Sequence, residues 1–138
     1  MKNLFLVLGL FFIISSCEVQ GELTNDKADN PIILPSMTSK YSGEFVSYPG
    51  ESISGSAKIY LENDHLLVFE NVIANGPDLK VYLSKSDKPV DFVNLGNLIK
   101  SKTTYEIPVA IDVEAYRYVI VYCQQYSVIF GVAQLTKS

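Results

Sequence analysis

No tryptophan occurs in the 138 residues, histidine occurs once, as His65, and cysteine twice, as Cys17 and Cys123. Each scarcity removes a class of chemistry. A zinc site draws three or four ligands from Cys, His and carboxylates, and one His with one spare Cys is a poor start. A haem takes axial ligands such as His and Met. Beyond Met1 the candidates are His65 and Met37, and Met37 falls in a segment with no strand or helix pattern. No cofactor and no metal ion are therefore expected. Basic residues are also few: eleven Lys and Arg against fifteen Asp and Glu give a net charge of -4, with no basic cluster. Neutralising phosphates needs such a cluster, so nucleic acid is not expected as a partner. Neither Gly-x-Ser-x-Gly nor a phosphate-binding glycine loop occurs, which leaves a hydrolase without a motif.

Long apolar runs are missing too. The longest, Leu4 to Ile14, is eleven residues interrupted only by Gly9. A helix needs roughly 20 residues to span a bilayer core. After Lys2 the run instead fits the apolar region of a secretory signal. Ile14-Ser15-Ser16-Cys17 then resembles the bacterial lipobox, in which small residues admit the peptidase and the cysteine thiol accepts diacylglycerol. The competing explanation is an ordinary signal peptide with an accidental cysteine. Residues 1–16 are thus expected to be a lipoprotein signal peptide and Cys17 the lipidated amino terminus. Loss of Lys2 would make the remaining chain one charge more negative. Residues 17–40, polar and carrying Pro31 and Pro35, read as a flexible tether. Its apolar patch Ile32-Ile33-Leu34 is expected to be a linker kink rather than a docking point. The expected location is extracytoplasmic, at the bacterial cell envelope, either periplasmic or on the cell surface, with the membrane as partner through the anchor.

From Tyr41 onward the pattern has period two. Nine Tyr, seven Phe and many Val and Ile favour strands. Ser52–Glu62 and His65–Val72 are expected to form a hairpin around Asn63-Asp64, with Gly55 at a bulge. Gly76-Pro77-Asp78 is a turn, after which Leu79, Val81 and Leu83 share one face. A loop rich in Lys, Asp and Pro follows. Thr104–Pro108 is a short strand that Pro108 ends. Tyr116–Cys123, the most apolar strand, belongs at the centre of a sheet. Gln124–Ser127 turns the chain back into Val128–Leu135, and Asp112–Tyr116 has room for one helical turn. Residues 41–138 therefore read as an all-β domain, a small antiparallel β-sandwich of about eight strands.

With Cys17 lipidated, Cys123 is the one remaining thiol. Strand parity puts it with Val119 and Val121 and favours burial; the turn at Gln124 favours access. A reactive thiol needs solvent and a nearby cation. No Lys adjoins it, and Arg117 is about 20 Å upstream along the strand. Structural and reactive roles both stay open on these grounds. His65 reads as an exposed edge residue. Asp78 reads as a turn carboxylate bonding local backbone N–H groups, with calcium as the alternative. Tyr116, Tyr118, Tyr122 and Tyr126 crowd Cys123, as surface strand formers or as an aromatic relay.

Four segments, in order, resemble the electron-transfer DM-thirteen domain family. They are Gly55-Ser56-Ala57-Lys58-Ile59, Gly76 to Ser84, Tyr116 to Cys123, and Val128-Ile129-Phe130-Gly131-Val132-Ala133. The likeness runs from about Tyr41 to Leu135. It implies a β-sandwich domain of extracytoplasmic proteins whose cysteine, matched by Cys123, is redox active. It further implies a redox or protein partner in the envelope. Where many members carry a Trp just before the cysteine, this chain has Val121 and Tyr122. Without the redox role, the same scaffold suits a non-catalytic binding module for a glycan, a protein or a small molecule of unspecified class.

Overall fold

A computed structural model describes residues 31–138. Nine strands alternate with turns: β1 Tyr41–Ser47, β2 Ile53–Tyr60, β3 Leu66–Ala74, β4 Leu79–Ser84, β5 Phe92–Asn97, β6 Thr104–Glu106, β7 Tyr118–Cys123, β8 Val128–Gln134 and β9 Thr136–Lys137. All pairings are antiparallel, in the order β5-β4-β7-β8-β1-β2-β3-β6, with β9 beside β1. The fold is all-β. The expected sandwich takes the form of one nearly closed sheet folded over a single core.

The fold turns on β1. Its first residues, Tyr41 to Glu44, pair with β2, and its last, Phe45 to Ser47, pair with β8. One strand thus belongs to both layers. The far ends of the path approach without pairing: Tyr105 of β6 donates its hydroxyl to the Asn97 carbonyl of β5 at 3.2 Å. Burial pushes the Tyr105 phenol above its ordinary value, because the ring lies inside the core where phenolate would be poorly solvated.

Alternation sorts the side chains. Leu79, Val81 and Leu83 of β4, with Val119, Val121 and Cys123 of β7, point into the core. Phe45, Phe69 and Tyr105 fill it with ring contacts at 5.5 and 5.3 Å. The hairpin β2–β3 forms as the alternation predicts, and Gly55 sits at its bulge with φ near 102°. Any Cβ there would lie 2.6 Å from the Asn71 carbonyl oxygen. The apolar strand β7 is interior to the sheet, flanked by β4 and β8. Among the described residues no helix occurs that is long and apolar enough to cross a membrane. Segment 112–116 makes one hydrogen-bonded turn, Ala115 N–H to the Asp112 carbonyl at 3.0 Å.

Two strands have no counterpart in the sequence pattern. One is β5, rich in Asn and Gly, at the edge of the sheet; the other is the two-residue β9. The loop before β5 is tied down by the fully buried Ser84, whose hydroxyl donates to the Lys88 carbonyl at 2.8 Å.

The proposed signal peptide and Cys17 lie outside the described residues. Of the segment before β1, residues 31–40 are described, and they dock. Ile33 and Met37 pack on Tyr60, Leu66 and Val68, on the outer face of β2 and β3. Thr38 N–H meets the Glu62 carboxylate at 3.0 Å, and Lys40 N–H meets the Ile59 carbonyl at 2.7 Å. The expected linker kink is corrected here for Ile33; Ile32 and Leu34 stay exposed. Removing a half-buried Met side chain from such a contact costs about 1–2 kcal/mol, below the range for full burial. Met37→Ala is expected to lower the chemical-denaturation midpoint without changing the strand content seen by circular dichroism.

Candidate functional site: the Cys123 strand end and its two turns

Cys123 is the last residue of β7, paired with Leu79 of β4 and Val128 of β8. Parity turns its side chain inward, and it is 0% exposed. The thiol Sγ–H donates to the Pro77 carbonyl oxygen at 2.9 Å. It is a free cysteine, in no disulfide. Around it stand the apolar side chains of the main core, including Leu79, Val121 and Phe130.

Two turns cover this strand end. The first is 76–78, which links β3 to β4 and carries Asp78 in the left-handed region at φ 52°. The second is 124–127, with Ser127 at φ 55°. They are joined by Gln124 N–H to the Asp78 carbonyl at 3.2 Å. Gln124 also donates its side-chain amide to the Tyr82 hydroxyl at 2.8 Å. Gly76 is needed here for space. A Cβ on it would lie 2.5 Å from the Phe130 ring, which packs beneath the first turn.

The charges near Cys123 belong to the outer face. Lys80 stands opposite Tyr122, the residue before the cysteine, and so points away from the thiol. Its ammonium pairs with Asp78 Oδ1 at 2.9 Å and bonds the Asn97 side chain. The Asp78 carboxylate is therefore engaged by Lys80 rather than by local N–H groups, which corrects the expectation for that residue. Arg117, at the other end of the β7 segment, stacks on Tyr41 and donates to the Leu135 carbonyl.

The other candidates are not drawn to the thiol. His65 precedes β3, whereas Cys123 lies by the turn after β3. Nine residues of extended strand put them on the order of 30 Å apart. His65 is half-buried, not exposed, because the 106–109 segment lies against it; its carbonyl accepts Ile107 N–H at 2.8 Å, and its Nδ1 is buried without a hydrogen-bond partner. No group of three His, Cys, Asp or Glu able to hold a metal occurs among the described residues. Met37 is committed to the Tyr60–Leu66–Val68 contact. Of the four tyrosines near Cys123, Tyr126 is exposed, Tyr116 lies beneath the Lys85 ammonium, and only Tyr122 joins an aromatic stack. That stack, Phe92–Tyr82–Tyr122, has centroid spacings of 4.2 and 5.4 Å and lies on the outer face. Sequence reasoning missed Phe92 because β5 carried no strand signal, and with it the stack that Phe92 makes on Tyr82 of β4.

The arrangement is thus a thiol held by a backbone carbonyl, one residue from a surface turn and closed in by a second. Its side chain has no contact with solvent in this structure. Comparison with curated proteins gave no match, and comparison with solved structures gave none either. A family model does match: residues 44–135, from β1 through β8 and the Leu135 that follows it, fit the one described as electron transfer DM13. Two thirds of the chain lie within that match, including Cys123 and both of its turns, and the chain belongs to the electron transfer DM13 family.

Proposed function

We propose that this is a redox domain centred on Cys123, carried on an envelope lipoprotein. The observation that carries the reading is the position of the thiol, fully buried yet separated from solvent by two short, mutually bonded turns. Burial protects a thiol from irreversible over-oxidation, and a local opening exposes it without unfolding the core. In the open state the Cys123 thiolate attacks a peroxide. An S–O bond forms, the O–O bond breaks and hydroxide or alkoxide leaves; sulfur loses two electrons and the peroxide gains them. A partner thiol then condenses with the sulfenic acid, releasing water and forming a mixed disulfide. A second partner thiol displaces Cys123 as thiolate and leaves the partner oxidised. The partner expected is an envelope dithiol protein.

The test is mild peroxide followed by a sulfenate-trapping reagent on the folded protein. One adduct, on Cys123 and absent in Cys123→Ala, is expected. Labelling that appears only after unfolding would overturn the redox role.

The export reading rests on the Leu4–Ile14 run and on Ile14-Ser15-Ser16-Cys17. Cys17→Ser is expected to abolish the lipid and move the protein out of the membrane fraction, leaving Cys123 unmodified. Mass spectrometry of the amino terminus checks this, and an unmodified Cys17 in the wild type would contradict it.

A second reading, a binding module, is favoured by the Phe92–Tyr82–Tyr122 stack, whose outer ring, Phe92, is 41% exposed. The middle ring, Tyr82, is buried, and the partly exposed Phe92 is the ring that suits a sugar face or a protein side chain. That reading expects Phe92→Ala to abolish partner retention and Cys123→Ala to leave it intact.

A further inference from the structure

A cleft of about 550 Å³ lies between the end of β3 and the segment joining β5 to β6. Its volume is in the range of about 300–1,000 Å³ typical of small-molecule sites. Phe69, Val72, Leu79 and Leu98 give it apolar walls, and Lys100 and Lys102 stand at its rim. Asn71 and Asn75 supply neutral hydrogen-bonding groups. No carboxylate occurs among the described residues that line it, although the chain as a whole carries a net charge of -4.

The walls are fixed by backbone bonds rather than by side chains alone. Phe69 N–H meets the Thr103 carbonyl at 2.7 Å, and Leu98 N–H meets the Leu79 carbonyl at 2.8 Å. Asn71 is held in the left-handed region, at φ 52°, across from the Gly55 bulge. Lys102 Nζ lies 5.0 Å from the Tyr105 ring centroid, an interaction that orients the ammonium and leaves it able to donate hydrogen bonds. Lys100 is exposed. A preformed apolar cleft with two cations and no anion selects a ligand by charge as well as by shape.

We propose that this cleft binds a small organic anion: one carboxylate, sulfonate or phosphate group at the lysine rim, and an apolar or aromatic body against Leu79 and Leu98. Gly76 and Leu79 border the cleft, while Pro77 accepts the Cys123 thiol bond and Leu79 is the strand neighbour of Cys123. The ligand would therefore lie against the turn that closes over the thiol. Binding itself stands apart from the redox role, since it needs no chemistry at Cys123.

The test uses anilinonaphthalene sulfonate, which has both an aromatic body and one anionic group. Its titration into the wild-type protein is expected to give a saturable fluorescence rise that weakens with added salt. Amide shifts are expected to cluster at Asn75, Gly76, Leu98 and Lys100. The double variant Lys100→Glu with Lys102→Glu is expected to bind at least about tenfold more weakly, a change of roughly 1.4 kcal/mol. Lys100→Arg with Lys102→Arg is expected to retain binding. Equal affinity in the charge-reversed variant, or wild-type amide shifts centred on Tyr82, Phe92 and Tyr122, would overturn the proposal. The amide map is read on the wild type and so decides the matter even if a variant folds poorly.

Discussion

Alkylation of Cys123 by a small iodoacetamide-type reagent is expected to run about a thousandfold slower in the folded protein than in the urea-unfolded chain. A factor of a thousand corresponds to an opening free energy of about 4 kcal/mol, since each 1.4 kcal/mol is tenfold. Local openings range from near zero up to the global stability, so this value places the thiol behind a sub-global barrier. The contacts that must be lost are specific: the thiol bond to the Pro77 carbonyl, and the Gln124 N–H bond to the Asp78 carbonyl that joins the two turns. The core strands β4, β7 and β8 need not separate. Gly76→Ala should speed alkylation, because a Cβ 2.5 Å from the Phe130 ring forces the turn or the ring to shift. Time-resolved mass spectrometry of labelling measures both rates. Protection of less than about tenfold in the wild type would mean that the thiol is open to solvent in the native state.

Gly43→Ala is expected to cost about 3 kcal/mol or more, the upper end of what overpacking usually does. Gly43 lies in β1 where the strand's neighbour on one side changes from β9 to β8. The chain passes there through Gln134 and the buried Leu135, and a Cβ on Gly43 would stand 2.2 Å from the Gln134 carbonyl oxygen. That neighbour is backbone and cannot rotate away. The clash would pry β8 from β1 at the point where the two layers join. Gly50→Ala is the useful contrast. It has open space but a φ of 86°, so it should cost only the backbone term of about 1–2 kcal/mol. Urea denaturation of both variants checks the order, and a Gly43→Ala protein no less stable than Gly50→Ala would contradict the account.

Much of this architecture was legible in the sequence because alternation is a local signal. The β2–β3 hairpin, its Gly55 bulge, the apolar β7 and the 124–127 turn follow from side-chain period and turn chemistry. The inward direction of Cys123 followed from its parity with Val119 and Val121. Partners distant in the chain were not legible. The Pro77 carbonyl that takes the thiol hydrogen is 46 residues away. Alternation likewise could not tell that β1 would divide its length between two layers. Edge strand β5 was hidden because Asn94, Gly96 and Asn97 look like loop residues; an edge needs fewer apolar contacts, and Gly96 takes φ 117° at its irregular pairing. His65 reads as exposed from its sequence neighbours, because only the fold shows the 106–109 segment lying against it.

The central claim is that Cys123 reacts through a local opening of its two turns. It is tested most directly by sulfenate trapping after a fixed peroxide dose, across a urea series that ends well below the unfolding transition. A local opening exposes little surface, so the account predicts a Cys123 labelling rate almost independent of urea in this range. A rate that climbs from zero urea with the full slope of global unfolding would contradict it. Reaction would then require loss of the whole fold, and Cys123 would be a core side chain without redox access.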